Sequence, residues 1–262
     1  MSSSTVLRCQ NLQKSFTQNP LIQDISFEMQ EGDQLAILGP GGCGKSTLLK
    51  IFLGLIAPDS GQVEILGKKI FEISRVEHAK ILSQIGMAFQ QGALFDFMTV
   101  RENILFAMEN MTNMTAPEME ERVVTMLESV NLPHAARKIP SELSGGMRRR
   151  VGIVRALATN PKLAFLDEPT AGLDPVTTNI VINMIHRLAE KFHSTLLCVT
   201  SSVEVAFTFA NKVAVFNEGK IIGLGTWDEL HNLNNPWINH FLDSRGFQPP
   251  QKQVLPTPIM EI

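Results

Sequence analysis

The sequence predicts an α/β fold built around a phosphate-binding loop, and three observations carry that prediction. An apolar run, Gln34 to Leu38, leads directly into Gly39-Pro40-Gly41-Gly42-Cys43-Gly44-Lys45-Ser46-Thr47, and a helically patterned stretch leaves the loop. A second apolar run, Lys162 to Leu166, ends in the paired carboxylates Asp167 and Glu168. Between them, residues 98 to 160 keep a helical period throughout, which marks a helical insert in a mixed sheet protein.

The elements follow in order. Strands are expected at Val6 to Cys9, Ile25 to Met29, Gln34 to Leu38 and Gln62 to Ile65, separated by Asn, Pro, Gly and Asp turn signals. Ser46 to Leu53 reads as the helix leaving the glycine loop. Thr99-Val100-Arg101-Glu102 has the form of a capping box, with Ile104, Leu105 and Met108 continuing one face. A further helix starts near Pro117, with Val123, Leu127 and Val130 on one side. Asp174 as cap and Pro175 at the first position open another, with a stripe of Ile180, Val181, Met184, Ile185, Leu188 and Phe192. Thr195 to Val199 is a strand, and Lys212 to Gly225 a hairpin turning at Asn217-Glu218-Gly219. After Trp227 the helical signal weakens, and a tail rich in Pro and Gln begins at Phe247.

Composition narrows the function classes. A chain of 262 residues, 44% hydrophobic and 19% charged, can bury a core as one compact unit. A net charge of -3 gives no global reason to bind nucleic acid, and the short cluster Arg148-Arg149-Arg150 reads as a solvated helix face. Cys9, Cys43 and Cys198 have neither disulfide nor zinc spacing, which fits a reducing cytosol. The N-terminus lacks the apolar core of a signal peptide, and no run reaches the ~18 apolar residues that span a bilayer, so work at a membrane requires a partner.

Three motifs carry the chemistry. The glycine loop matches G-x-x-x-x-G-K-[ST] between a strand and a helix. Its backbone N–H groups and helix N-terminus cradle phosphates, Lys45 neutralises the β and γ charges, and the Ser46 hydroxyl ligates magnesium. At the end of the second apolar run, Asp167 is placed to support that magnesium and Glu168 to polarise an attacking water. Leu143-Ser144-Gly145-Gly146-Met147 puts a Ser cap and two glycines at the start of a helix carrying Val151, Val154 and Ala158 with Met147 on one face, a second anion-binding terminus.

With this third motif the sequence resembles the ATP-binding cassette (ABC) ATPases, whose signature is LSGGQ, with Met147 in the glutamine's place. The resemblance covers about residues 5 to 242 and implies a P-loop NTPase fold: a RecA-like core, an antiparallel β subdomain and a helical signature subdomain at about 91–160. It implies ATP and Mg2+ as ligands, Gln90 as the Q-loop glutamine that senses magnesium, the γ-phosphate and the transmembrane partner, and Ala171-Gly172-Leu173-Asp174 as the D-loop. Phe16 is implied as the aromatic that stacks on adenine, a core aromatic being the other reading. One phosphate loop and one signature helix per chain imply a head-to-tail homodimer, with ATP between the subunits.

The pattern fails at one place. The family has a histidine just after the strand that follows the D-loop helix, and Ser201 stands there. The expectation is a slow but active ATPase, because Glu168 is retained; the alternative is a switch without useful hydrolysis.

Gln90-Gln91-Gly92-Ala93-Leu94-Phe95 and Trp237 to Asp243 resemble the ATPases of Mla-type phospholipid transport, an MCE system of the Gram-negative inner membrane. That resemblance implies a peripheral position on the cytoplasmic side of the inner membrane. It also implies a transmembrane permease (MlaE-like), a small STAS-domain protein (MlaB-like) and an MCE lipid-binding protein (MlaD-like). Residues 243–262 are then a C-terminal extension that reaches the opposite protomer or its small subunit. Leu94, Phe95 and Phe97 are expected either to line the groove for a permease helix or to form subdomain core. The alternatives are an importer ATPase for amino acids or another small solute, and a nucleotide switch without transport.

Overall fold

The computed structural model describes residues 4–16 and 20–243; the tail from Phe247 lies outside the described residues. Two sheets organise the chain. Strands β1 (Thr5–Ser15), β2 (Pro20–Gln30), β4 (Ser60–Ile65) and β5 (Lys68–Lys69) form an antiparallel sheet in the order β2-β1-β4-β5. Strands β3 (Gln34–Leu38), β6 (Ile85–Ala88), β7 (Leu163–Asp167), β8 (Thr195–Thr200), β9 (Lys212–Asn217) and β10 (Lys220–Gly225) form the second, in the order β10-β9-β3-β8-β7-β6. That sheet is parallel except for the β9–β10 hairpin, whose two-residue turn puts Glu218 at φ 46° and Gly219 at φ 79°.

The parallel strands β3, β7 and β8 read as unbroken apolar runs because both faces are covered. On one face, α1 (Lys45–Phe52) packs beneath the antiparallel sheet, and Phe52 bridges the two sheets. Its ring centroid lies 5.9 Å from Phe27 of β2 and 6.1 Å from Phe165 of β7. On the other face lies the helical side, with α3 (Val100–Met111), α4 (Ala116–Ser129), α5 (Gly145–Ala158) and α6 (Pro175–Phe192) around a second core.

Most of the expected elements are found. Thr99 and Glu102 make the reciprocal capping box that opens α3, and Asp174 caps α6 by accepting from the Thr177 N–H. Four expectations need correction. Ile180 on α6 is 47% exposed, and Ile182 is buried in its place. The block 98 to 160 is interrupted by two short 3-10 turns, Pro133–Ala135 and Pro140–Glu142, where prolines end the α period. Helix α2 (Arg75–Leu82) and strand β6 were not anticipated, and neither were α7 (Val203–Phe209), α8 (Trp227–Asn232) and α9 (Pro236–Asp243), where Trp237 stacks on Phe241 at 4.8 Å. The arginine cluster is not a solvated face: Arg148, Arg149 and Arg150 donate to the carbonyls of Leu143, Gln90 and Val130 respectively. Those carbonyls belong to segments without helical or sheet partners, so the guanidinium groups satisfy them.

Candidate functional site

The glycine loop leaves β3 and turns into α1 at Gly44, whose φ of 110° is open to glycine and strained for other residues. Gly39 is required for a different reason: a Cβ there would lie 2.1 Å from the Phe216 carbonyl oxygen of β9. Pro40, Gly41, Gly42 and Thr47 complete the loop and the first turn. Lys45 is buried, and its ammonium donates to the Gly39 carbonyl at 2.9 Å and the Pro40 carbonyl at 2.8 Å. The cation therefore sits inside the loop, where phosphate oxygens can replace the two carbonyls. The Cys43 thiol lies 3.9 Å from Lys45 Nζ; burial pushes it up, and the lysine charge offsets part of that rise.

Parallel pairing of β7 with β8 and of β8 with β3 carries the end of β7 to the loop. Ser46 Oγ donates to Asp167 Oδ1 at 3.1 Å. Burial pushes the Asp167 carboxyl above the usual aspartate range, and the Ser46 hydrogen bond works against it. A hydroxyl and a carboxylate converging on one point are hard oxygen donors of the kind Mg2+ takes alongside substrate phosphates, so Ser46 and Asp167 fit the ion. Glu168 follows with φ 46°, its N–H held by the Val199 carbonyl at 2.9 Å. A non-glycine residue in the left-handed region at a strand end is the kind of strain that accumulates at functional sites.

Gln90 is exposed just beyond β6, and its carbonyl accepts from Arg149 Nε of α5 at 3.0 Å. The segment after it is held by side chains. Arg155 of α5 donates to the carbonyls of Gly92 (3.0 Å) and Ala93 (2.9 Å), and the buried Asn103 of α3 pairs with both the N–H and the carbonyl of Phe95. A Cβ on Gly152 of α5 would lie 2.7 Å from Gly92 Cα, so the segment lies directly on the helix backbone. The other end of α5 begins at the Leu143 to Met147 motif. Ser144 caps it through the Met147 N–H at 3.2 Å, Ser144 and Gly145 are exposed, Leu143 is buried, and Gly146 faces Leu173.

Phe16 is 61% exposed beside Lys14, which excludes the core reading and leaves the ring free to stack. Ser201 is half-buried at the end of β8. The contact to the glutamate comes from Thr200, whose hydroxyl donates to Glu168 Oε2 at 3.2 Å. Sequence reasoning missed Thr200, Arg149 and Arg155, because nothing in their spacing distinguishes them from strand and helix residues. Asp174 hydrogen-bonds through its side chain to Thr177, which holds its carboxyl below the usual range.

An apolar groove of about 380 Å³ lies between the sheet core and the helical side, with Leu55, Met87, Phe89, Phe95, Phe106 and Arg155 among its walls. Phe95 packs edge-on against Phe106 at 5.1 Å. Leu94 instead packs on the core, and Phe97 is 81% exposed. The core reading therefore holds for Leu94 and not for Phe95 or Phe97.

Residues 22–171 match the family model described as ABC transporter. The chain is 36% identical over 223 residues to the intermembrane phospholipid transport system ATP-binding protein MlaF of Escherichia coli K12, covering 85% of this chain and 83% of that one. It is 39% identical over 222 residues to the methionine import ATP-binding protein MetN of Bifidobacterium longum, covering 84% of this chain and 55% of that one. The dimeric post-hydrolysis structure of the ATP-binding cassette MJ0796 bound to ADP and Pi superposes with a TM-score of 0.78 at 29% identity, covering 84% of this chain and 98% of that one. With its glycine loop, strand-end carboxylates and capped signature helix in one fold, the chain belongs to the ABC transporter family as an ATP-binding, ATP-hydrolysing subunit.

Proposed function

We propose that the chain hydrolyses ATP as a homodimer to drive phospholipid transport through an inner-membrane permease. The observation that carries the catalytic part is the convergence of Lys45, Ser46, Asp167 and Glu168 at the ends of β3 and β7. Lys45 and the loop N–H groups bind the β- and γ-phosphates. Ser46, Asp167 and Gln90 would hold Mg2+, which would neutralise charge at those phosphates. Glu168 accepts a proton from the attacking water as its oxygen bonds to the γ-phosphorus. The bond from that phosphorus to the bridging oxygen breaks, and ADP leaves with the electron pair. Ser144 and the N-terminus of α5 serve the γ-phosphate bound by the opposite protomer, so phosphate loss opens the dimer.

The phospholipid part is supported by the likeness to MlaF and by the Gly92-Ala93-Leu94-Phe95 stretch after Gln90. Among the described residues no helix is long and apolar enough to cross a membrane. The apolar groove then receives a cytoplasmic permease helix. A permease like MlaE, a STAS-domain subunit like MlaB and a lipid-binding MCE protein like MlaD complete this reading. The likeness to MetN favours a second reading, an amino-acid importer. Purification from native membranes separates the two. Phospholipid with an MCE protein in the purified complex, and hydrolysis that responds to phospholipid, support the first; a solute-binding protein and hydrolysis stimulated by an amino acid support the second.

A further inference from the structure

Thr200 is the last residue of β8 and is 1% exposed. Three contacts converge on it. Its hydroxyl donates to Glu168 Oε2 at 3.2 Å, the hydroxyl oxygen itself accepts from the Ser202 N–H at 3.1 Å, and its carbonyl accepts from the Gly39 N–H at 3.2 Å. A threonine hydroxyl has a single proton. Because the Ser202 N–H occupies a lone pair, that proton is directed at the carboxylate. One buried side chain thus ties Glu168 to the turn that opens α7, and its backbone ties the same point to the start of the glycine loop. The 3.2 Å separation is long for a hydroxyl donor, as catalytic hydrogen bonds often are before substrate tightens them.

We propose that Thr200 is a positioning residue for ATP hydrolysis: its hydroxyl fixes Glu168 by one carboxylate oxygen and leaves the other to meet the attacking water. The inference rests on the reading of Glu168 as the water-activating carboxylate. The left-handed backbone of Glu168 makes such a tether necessary, because a strained residue keeps its geometry only where its surroundings over-determine it.

The test is steady-state ATP hydrolysis by the full chain, purified with its membrane subunits, for wild type, Thr200→Val and Thr200→Ser. Valine keeps the volume and removes the donor; serine keeps the donor. The expected result for valine is a kcat about 10- to 100-fold lower with KM for ATP unchanged. Serine should restore the rate. A valine variant with the wild-type rate overturns the inference. So does a serine variant no better than valine, or a loss shared between kcat and KM together with a lowered melting temperature. Glu168→Gln, measured alongside, separates the two claims: wild-type hydrolysis in that variant refutes the reading of Glu168, whereas a dead Glu168→Gln with an unaffected Thr200→Val refutes only the role of Thr200.

Discussion

Ser46 Oγ and Asp167 Oδ1 lie 3.1 Å apart although 121 residues separate them in the chain. The contact joins the first turn of α1 to the end of β7, and it is made through an aspartate whose carboxyl is pushed up by burial. A group whose pKa is raised by folding holds its proton more tightly folded than unfolded. Stability therefore declines as pH rises through the ordinary carboxylate range toward the raised value. Asp167→Asn should accordingly raise the melting temperature of the nucleotide-free protein at pH 7, with the gain shrinking as the pH falls into the carboxylate range. The same variant should lose the Mg2+-dependent part of stabilisation by ATP. Thermal melts with and without Mg2+ and ATP check both halves; a lower melting temperature at pH 7 would show that the aspartate has a structural role instead.

Gly152→Ala reverses a usual rule. In the interior of a helix, alanine is favoured over glycine by about 1 kcal/mol. Here the added Cβ would lie 2.7 Å from Gly92 Cα, a backbone atom that cannot rotate away. The segment after Gln90 must shift off α5, at a cost of about 1–3 kcal/mol typical of overpacking, so the net change is destabilising. Chemical denaturation should show lower stability and ATPase assays a lower kcat; a more stable variant with full activity would mean that the contact relaxes freely.

The stretch Leu94 to Phe97 should separate folding from coupling. Leu94 packs on the core, Phe95 lines the groove, and Phe97 is exposed. Leu94→Ser should lower stability by about 2 kcal/mol or more, whereas Phe97→Ser should leave the melting temperature unchanged. Phe95→Ser should reduce transport per ATP hydrolysed while the isolated subunit still folds. Melting curves and reconstituted transport check these three; a Phe95 variant with normal coupling would remove the groove from the partner interface.

If Ser201 takes the position that the resemblance gives to a histidine, restoring one preorganised donor to the transition state is worth up to about 100-fold in rate. Ser201→His should therefore raise kcat with little change in KM for ATP, since binding is carried by the loop backbone and Lys45. Turnover assays with the permease present check this. A wild-type rate that the histidine variant fails to exceed would mean that Thr200 and Glu168 suffice.

The site was more legible in the sequence than the periphery, for physical reasons. A phosphate loop needs glycines at fixed offsets between a strand and a helix, and the pattern through Lys45 could hardly serve another end. Asp174-Pro175 and Thr99 to Glu102 announced their helices by local cap chemistry. By contrast, α2, with only Ile81 buried, has a weak amphipathic pattern, so its existence depends on the capping box at Ser74 and Glu77. The arginines of α5 look like surface residues by composition. Their role emerges only when the chain brings carbonyls of Gln90, Gly92 and Ala93 to them, a long-range fact. Ile180 was misplaced because the 3.6-residue period leaves one-position ambiguity at the rim of a stripe.

The central claim is that Glu168 activates water for hydrolysis of ATP held by Lys45. The most direct measurement is the single-turnover rate of ATP hydrolysis by Glu168→Gln in the assembled complex, taken beside its ATP affinity and with Lys45→Ala as the non-binding control. The account predicts ATP binding close to wild type, hydrolysis reduced by at least about 100-fold, and a dimer that stays closed on ATP. Hydrolysis by Glu168→Gln at the wild-type rate would contradict it.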